Sequence, residues 1–298
     1  MDEERDLLRM RQEWDNIARL NPYYGIVSWP EFQDPTRVDE EKFELSGKIQ
    51  VENLLASIGM GDTRHLKMLE IGCGLGRMTH RFADLFEEVF AVDCSQEMIY
   101  RAQARWGHRR NVRFLTNNGG DLSDIADSSM HFVFSFLVLQ HVISPHIVLQ
   151  YIRESGRVLK PSGMAFLQLR TVSSETGLHR FPEAPRTLRE TLTGWVPASL
   201  AAAARRIKPR LSRARNLFPN AWWNEGLWDS EAQGTSESAA RITSATVWQG
   251  GHVTTAQARQ TCEEAGLFIR RLEGEGTQYT FVTAVKQECR EAADRKEY

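Results

Sequence analysis

The sequence predicts an α/β protein built on a doubly wound, mostly parallel sheet, and three observations carry that prediction. Between residues 67 and 169, short apolar runs alternate with stretches of helical spacing. That rhythm places helices on both faces of a parallel sheet. One of the runs, residues 131–137, is apolar almost throughout, as a strand covered on both faces should be. The first run ends in Gly72, Gly74 and Gly76, a glycine at every second position. Such a turn folds strand into helix through backbone conformations that side chains disfavour. With 298 residues the chain can form one large domain, or a domain carrying an insertion.

Lys67–Ile71 reads as the first strand. After the glycine turn, residues 77–86 are amphipathic and predict a helix. Residues 88–92 form the second strand, with Asp93 at its end. Ser95 suits the N-cap of a helix over residues 96–105, and Glu97 sits in its first turn, where negative charge complements the helix dipole. Residues 112–115 and 131–137 are the third and fourth strands. Residues 146–159 have helical spacing, and Pro161-Ser162-Gly163 turns into a fifth strand over 164–169. The pattern lapses over residues 171–251. It resumes with a helix over 254–265, stopped by Gly266, and strands over 268–272 and 279–286. The hinge Glu273-Gly-Glu-Gly-Thr277 is short enough to join the last two as an antiparallel hairpin. The charged tail, residues 288–298, is expected to fray. The expected organisation is an N-terminal segment (1–66), a core (67–170), an insertion (171–251), the C-terminal part of the core (252–287) and the tail.

Composition narrows the function classes. A hydrophobic fraction of 41% and a charged fraction of 26% are ordinary for a soluble globular protein. A net charge of -2 gives no general attraction to nucleic acid or anionic membrane. The charged start, Met-Asp-Glu-Glu-Arg-Asp, does not read as a signal peptide, and no apolar run is long enough to span a bilayer. Cys73, Cys94, Cys262 and Cys289 are scattered, which fits neither a zinc knuckle nor a disulfide framework. A reduced, cytoplasmic protein is expected.

The glycine spacing discriminates between ligands. A dinucleotide site requires glycine three positions after the second glycine, and here that position is Arg77. A P-loop requires a following Gly-Lys-Ser/Thr, which is missing. Asp93, at the end of the second strand, can accept from both hydroxyls of a ribose. Asn118, after the third strand, offers an amide oxygen to an adenine amino group, and Leu122 an apolar surface to its ring. Asp127-Ser-Ser-Met-His-Phe-Val133 leads into the fourth strand, and Arg157-Val-Leu-Lys-Pro-Ser-Gly163 precedes the fifth.

This set resembles the class I S-adenosylmethionine-dependent methyltransferases of the small-molecule, type 11-like kind, over residues 67–169 and in outline over 254–286. The resemblance implies a Rossmann-like sheet of seven strands with the last antiparallel. It makes S-adenosylmethionine the cofactor. Glu70 corresponds to the acidic residue that organises the glycine loop and the methionine amino group. Gly72 and Gly74 lie against the methionine and ribose, with Cys73 between them, and Asp93 is the ribose carboxylate. Cys94 and Met98 flank the adenine. Asn118, followed by Gly119, stands where many relatives carry Asp. Phe136 falls where relatives touch the methionine portion. The N-terminal segment corresponds to a helical lid, which makes Tyr23 and Tyr24 lid candidates, whereas Trp14 equally suits packing on the sheet edge. Asn21-Pro-Tyr-Tyr24 is not the signature of DNA adenine methyltransferases. It lacks the second proline and precedes the first strand.

For the acceptor, positioning can supply about 7–11 kcal/mol and a general base about two to four orders of magnitude in rate. His141 is the candidate base, because its ordinary pKa lies near neutrality. The same position also suits a residue that caps a helix or orients a loop. Gln140 can orient His141 or the substrate. Gln168 and Arg170 leave the fifth strand toward the same rim, where Arg170 can pair with an anionic acceptor. On His141 rests an expectation of oxygen as the methylated atom. The insertion carries Arg205, Arg206, Lys208, Arg210, Arg213 and Arg215 without an acidic residue over 201–216, flanked by Trp195, Trp222, Trp223 and Trp228. It reads as a substrate cap with Trp222 and Trp223 as candidate contacts. A pocket for an anionic, glycan-type acceptor, an interfacial helix in peripheral membrane contact, and a solvated basic face remain open. No nucleic-acid partner is expected. A metal is disfavoured, since the fourth strand ends in Ser135-Phe136 without an acidic ligand. The competing readings are an N-methyltransferase, a non-catalytic cofactor-binding partner in a biosynthetic complex, and a dehydrogenase.

Overall fold

The structure is a computed structural model that describes residues 2–173 and 237–288. All of them belong to one of the two units into which the chain divides, residues 1–180 with 234–298. Three helices open the chain: α1 (Asp2–Leu20), α2 (Pro22–Ile26) and α3 (Glu40–Ser57). There follow β1 (Lys67–Ile71), α4 (Thr79–Leu85), β2 (Glu88–Asp93), α5 (Gln96–Trp106), β3 (Val112–Thr116), β4 (Met130–Ser135), α6 (Pro145–Val158), β5 (Leu159–Leu169) and the short β6 (Thr171–Val172). The second described stretch holds α7 (Glu237–Thr243), α8 (Thr246–Gln249), β7 (Val253–Thr254), α9 (Thr255–Glu264), β8 (Leu267–Glu273) and β9 (Thr280–Lys286).

Seven strands form one sheet in the order β3-β2-β1-β4-β5-β9-β8. Every neighbouring pair is parallel except those made by β9, which runs antiparallel to β5 and β8. The order reverses at β1, which pairs with β2 on one side and β4 on the other. In a doubly wound sheet the crevice beyond the carboxyl ends of such strands is where ligands bind. The central strands are buried on both faces: Met68, Leu69, Val89, Ala91, Phe132 and Val133 have no exposed surface. Ser95 caps α5 by accepting from the Met98 N–H at 3.1 Å. On α1 the buried Met10, Ile17 and Ala18 recur at helical spacing and form the stripe it lays on the rest of the protein. None of the described helices is long and apolar enough to cross a membrane.

The structure departs from the sequence reading at three places that shape the site. The fourth strand stops at Ser135, two residues early, because Leu137 adopts a left-handed conformation with φ 60°. The fifth strand starts at Leu159, and the expected turn at Pro161-Ser162-Gly163 lies within it as an irregularity, with Ser162 at φ 64°. A separate two-stranded sheet pairs Thr171 with Val253 and Val172 with Thr254, which ties together the chain on either side of residues 174–236.

Helix α3 lies against the segment that follows the glycine turn. Buried Arg77 donates from Nη1 to Ser46 Oγ at 3.0 Å, and a Cβ on Gly47 would stand 2.1 Å from the Arg77 carbonyl oxygen. An alanine there gains about 1 kcal/mol of helix propensity. It collides with backbone, however, and overpacking of that kind costs about 1–3 kcal/mol. Gly47→Ala is therefore expected to lower the thermal midpoint by a few degrees, read by circular dichroism. A higher midpoint would show that α3 does not press on the loop.

Candidate functional site

The glycine turn directs its backbone donors inward. The N–H groups of Gly72 and Cys73 both donate to the Val92 carbonyl, at 2.8 and 3.0 Å. The next N–H, of Gly74, donates to Asp93 Oδ2 at 2.8 Å. Three consecutive donors are thus taken by the end of β2. A loop that cradles phosphate keeps such donors for its anion, so this turn offers no row of N–H groups to a pyrophosphate. Gly72, Gly74 and Gly76 have φ values of 75°, 53° and 79°. Bare backbone is also needed for space, since a Cβ on Gly72 would meet Val138 at 2.3 Å and one on Gly74 would meet Ile26 at 2.7 Å.

A cavity opens at the carboxyl ends of the central strands. Its floor is Glu70, Gly72, Cys73 and Gly74 with Asp93, Cys94 and Met98; Asn117 and Tyr151 close one side and Phe136, Leu137, Val138 and Val142 the other. Met10 and Trp14 of α1 and Gly25 and Ile26 of α2 cover it. Glu70 is buried and accepts from Thr79 Oγ1 at 2.6 Å. Burial pushes its carboxyl up to about 8, and the neighbouring Asp93 adds to this while Thr79 and Arg77 oppose it. Asp93 accepts from the Ser95 N–H at 2.9 Å as well as from Gly74. Burial still pushes it up to about 6. Burial holds the thiols of Cys73 and Cys94 well above the usual range, so they are neutral and act as apolar wall. Tyr151 receives a hydrogen bond from Asn117 Nδ2 at 3.0 Å, and burial raises its phenol.

Two carboxyls held up by burial are stabilised in their ionised form by a cation. The residues present fit a ligand that carries positive charge and hydroxyl donors at one end and a flat ring at the other. S-adenosylmethionine has that chemistry, and Glu70, Asp93, Cys94 and Met98 are the residues that would hold it.

Of the residues singled out by sequence, Glu70, Gly72, Cys73, Gly74, Asp93, Cys94, Met98 and Phe136 line the cavity. Asn118 does not. Its Oδ1 accepts from the N–H groups of Gly120 and Asp121 at 2.7 and 3.0 Å, and its Nδ2 donates to Asp121 at 2.8 Å. Asn117, one residue earlier, lines the cavity instead, and its amide is held by the Asp121 carbonyl, Tyr151 Oη and the Gly119 N–H. Gly119 packs behind the wall, where a Cβ would meet Met10 at 2.8 Å and Cys94 at 3.3 Å. Tyr24 is buried and stacks on Trp248 at 6.0 Å, leaving its successors Gly25 and Ile26 to face the cavity. Arg170 is half-buried beside Tyr279 at the end of β5. Trp222 and Trp223, with the basic stretch between 201 and 216, lie outside the described residues.

His141, Gln140 and Gln168 are also absent from the lining. Gln140 Nε2 lies 2.9 Å from His141 Nε2, and His141 Nδ1 lies 3.1 Å from the Val247 carbonyl, so both ring nitrogens are engaged. Trp14 meets the ring edge-on at 5.7 Å and Trp248 at 5.5 Å. Burial, helped by Arg170, pushes the imidazole down to about 4. The ring is thus buried, with partners at both nitrogens. Met10, Asn117, Val138, Val142 and Tyr151 line the cavity without having been singled out by sequence. Only Tyr151 left a signal, as a hydroxyl on the otherwise apolar face made by Ile147, Val148 and Ile152 of α6.

Comparison with known proteins finds a methyltransferase domain in the core of the fold. Residues 69–167 match the family model described as a methyltransferase domain. The chain is similar to the thiol S-methyltransferase TMT1B of Rattus norvegicus, 36% identical over 109 residues, 36% of this chain and 43% of that protein. It is also similar to a ubiquinone biosynthesis O-methyltransferase of Xanthomonas oryzae pv. oryzae, 25% identical over 184 residues, 58% of this chain and 74% of that protein. The chain spans about half the length of the mammalian thiol S-methyltransferases it matches. Among solved structures, the magnesium protoporphyrin IX methyltransferase of Synechocystis PCC 6803 superposes with a TM-score of 0.45 at 18% identity, covering 84% of this chain and 88% of that one. Residues 69–167, with the glycine turn and Asp93 at the mouth of a seven-stranded sheet, are thus a methyltransferase domain.

Proposed function

We propose that the protein transfers a methyl group from S-adenosylmethionine to a small, largely apolar acceptor whose nucleophile ionises without help from a protein base. The observation that carries this is the cavity lining. Beside the two carboxyls and Arg77 it presents Met10, Trp14, Ile26, Phe136, Leu137, Val138 and Val142, and no histidine or lysine among the described residues. The donor, when bound, supplies an electrophilic methyl and its own thioether leaving group. The chain's part is to hold the donor at Glu70 and Asp93, to exclude water with α1 and α2 as a lid, and to fix the acceptor against an apolar wall.

An aliphatic hydroxyl needs a base to react in such a wall. A thiol ionises with a pKa of about 8.5, so a useful thiolate fraction forms at neutral pH, and its loss of hydration in an apolar site leaves a reactive nucleophile. Sulfur therefore replaces oxygen as the favoured acceptor atom, and the thiol S-methyltransferase relative supports the same choice. The expectation of oxygen rested on His141 as base, and both nitrogens of that ring are already engaged. An acidic phenol is the second reading, supported by the O-methyltransferase relative.

Calorimetry with S-adenosylhomocysteine is expected to show binding that Asp93→Ala abolishes; wild-type affinity in the variant sinks the cofactor assignment. With methyl-labelled donor, alkyl and aryl thiols are expected to outrun phenols and alcohols of equal size by tenfold or more. Faster labelling of a phenol overturns the sulfur reading.

Glu70 adds a check that needs no acceptor. Its folded-state pKa of about 8 lies above the unfolded value of about 4.3. Its contribution to stability is thus fully present below the unfolded value and is lost as pH rises through the folded one. The thermal midpoint of the ligand-free protein is expected to fall between pH 6 and 8.5, and to fall less in Glu70→Gln. Parallel curves for the two proteins would show that Glu70 ionises normally.

A further inference from the structure

A run of polar side chains lies behind the cavity wall, outside its lining. The Leu137 N–H donates to Gln168 Oε1 at 2.7 Å. Gln168 Nε2 donates to Gln140 Oε1 at 2.7 Å and to the Gln278 carbonyl at 3.1 Å. Gln140 Nε2 meets His141 Nε2 at 2.9 Å, and His141 Nδ1 meets the Val247 carbonyl at 3.1 Å. The Val247 N–H then donates to Glu13 Oε2 on α1 at 2.8 Å. Gln140 and Gln168 are both buried.

The direction of each bond is fixed from both ends. A backbone N–H only donates, so Gln168 turns its oxygen to Leu137 and its NH2 to Gln140. Gln140 accepts on its oxygen and offers its own NH2 to His141. His141 Nε2 must then accept, which puts the ring proton on Nδ1, and there it meets the Val247 carbonyl, which only accepts. A second proton on the ring would set Nε2–H against the Gln140 NH2.

The run begins at a strained residue. Leu137 is left-handed without being glycine. Such a conformation costs about 1–3 kcal/mol and persists where the surroundings hold it. It sits between Phe136 and Val138, all three line the cavity, and Val138 lies on Gly72.

We propose that Gln168, Gln140 and His141 are positioning residues, a directional hydrogen-bond relay that holds the left-handed turn at Leu137 and couples it through Val247 to Glu13 of the N-terminal helix. The link to methyl transfer rests on the function proposed above; the relay itself is independent of it. The charged groups around the ring are Arg170 on the β5 side and Glu13, paired with Arg9 at 2.9 Å, on the α1 side.

Gln168→Glu separates a relay from mere packing. The introduced carboxylate still accepts from Leu137 but donates nothing to Gln140. The Gln140 amide turns over and offers its oxygen to His141, whose Nε2 then takes up a proton. Imidazole nitrogens of the full chain labelled with 15N-histidine are read by NMR at pH 7. In the wild-type protein His141 is expected neutral with the proton on Nδ1. In Gln168→Glu it is expected doubly protonated, and S-adenosylhomocysteine affinity by calorimetry is expected to drop tenfold or more. In the double variant Gln140→Met with Gln168→Glu, the cut relay returns the ring to neutral. The proposal is overturned by a wild-type ring protonated on Nε2, a measurement that needs no variant to fold. It is equally overturned by an unchanged ring in Gln168→Glu, or by a ring still doubly protonated in the double variant, which would reveal a through-space field. Failure of the wild-type protein to bind S-adenosylhomocysteine would instead sink the donor assignment and leave the NMR outcome standing.

Discussion

The end of β2 decides what this site can bind. Val92 and Asp93 take the three N–H groups of Gly72, Cys73 and Gly74. A strand end that consumes its neighbour's backbone donors leaves the cavity without a row of N–H groups for a phosphate, and sets two carboxyls, Glu70 and Asp93, into its lining beside Arg77. The same Asp93 also accepts from Ser95, the N-cap of α5. One carboxylate therefore joins the glycine turn, the end of the strand and the start of the next helix. The shape of the turn and the start of α5 are both held by its two oxygens.

Under the proposed function, the acceptor side obeys a different logic. Positioning supplies about 7–11 kcal/mol, whereas a general base supplies about two to four orders of magnitude in rate, roughly 3–5 kcal/mol. A nucleophile that ionises on its own makes the second contribution dispensable. The first then depends on how rigidly the wall is held, and Phe136, Leu137 and Val138 are held by a bond to Gln168 from the neighbouring strand. A buried polar network weakens a protein unless each member is satisfied. Here each member of the run has its partner, and because the bonds are directional the network specifies one arrangement of the turn. An apolar core of the same size would fill the space without choosing that arrangement.

The parts of the fold that are local in origin were legible in the sequence. The β1 boundaries, the Ser95 cap and the closing hairpin follow from apolar runs and turn residues that act on their immediate neighbours. What eluded the sequence depends on distant partners. Phe136 and Leu137 are as apolar as the strand before them, and only Gln168, 31 residues away, reveals why the strand ends first. Asn117 and Asn118 are chemically identical, and the one that lines the cavity is chosen by the local turn at Asp121. His141 has the residue type of a base, but its two nitrogens are committed by Gln140 and by Val247, 106 residues away. The two residue pairs of the β6–β7 sheet are too short to leave a periodic signal.

The covering helix shows how a local rule and distant partners combine. At about 100° per residue, Glu13 and Asp15 project to opposite flanks of Trp14, and Met10, four residues back, returns to the face of Trp14. Asp15 accepts from Ser95 Oγ at 2.6 Å and from the Glu97 N–H at 3.1 Å, which binds that flank to the start of α5. Glu13 accepts from the Val247 N–H on the other flank. The helix is thus pinned on both sides, and the residues between the pins, Met10 and Trp14, are the ones that face the cavity. One pin stands next to Asp93 on the donor side. The other reaches, through the single residue Val247, the ring of His141 and the turn at Leu137. Seating of α1 is therefore linked to both sides of the cavity at once.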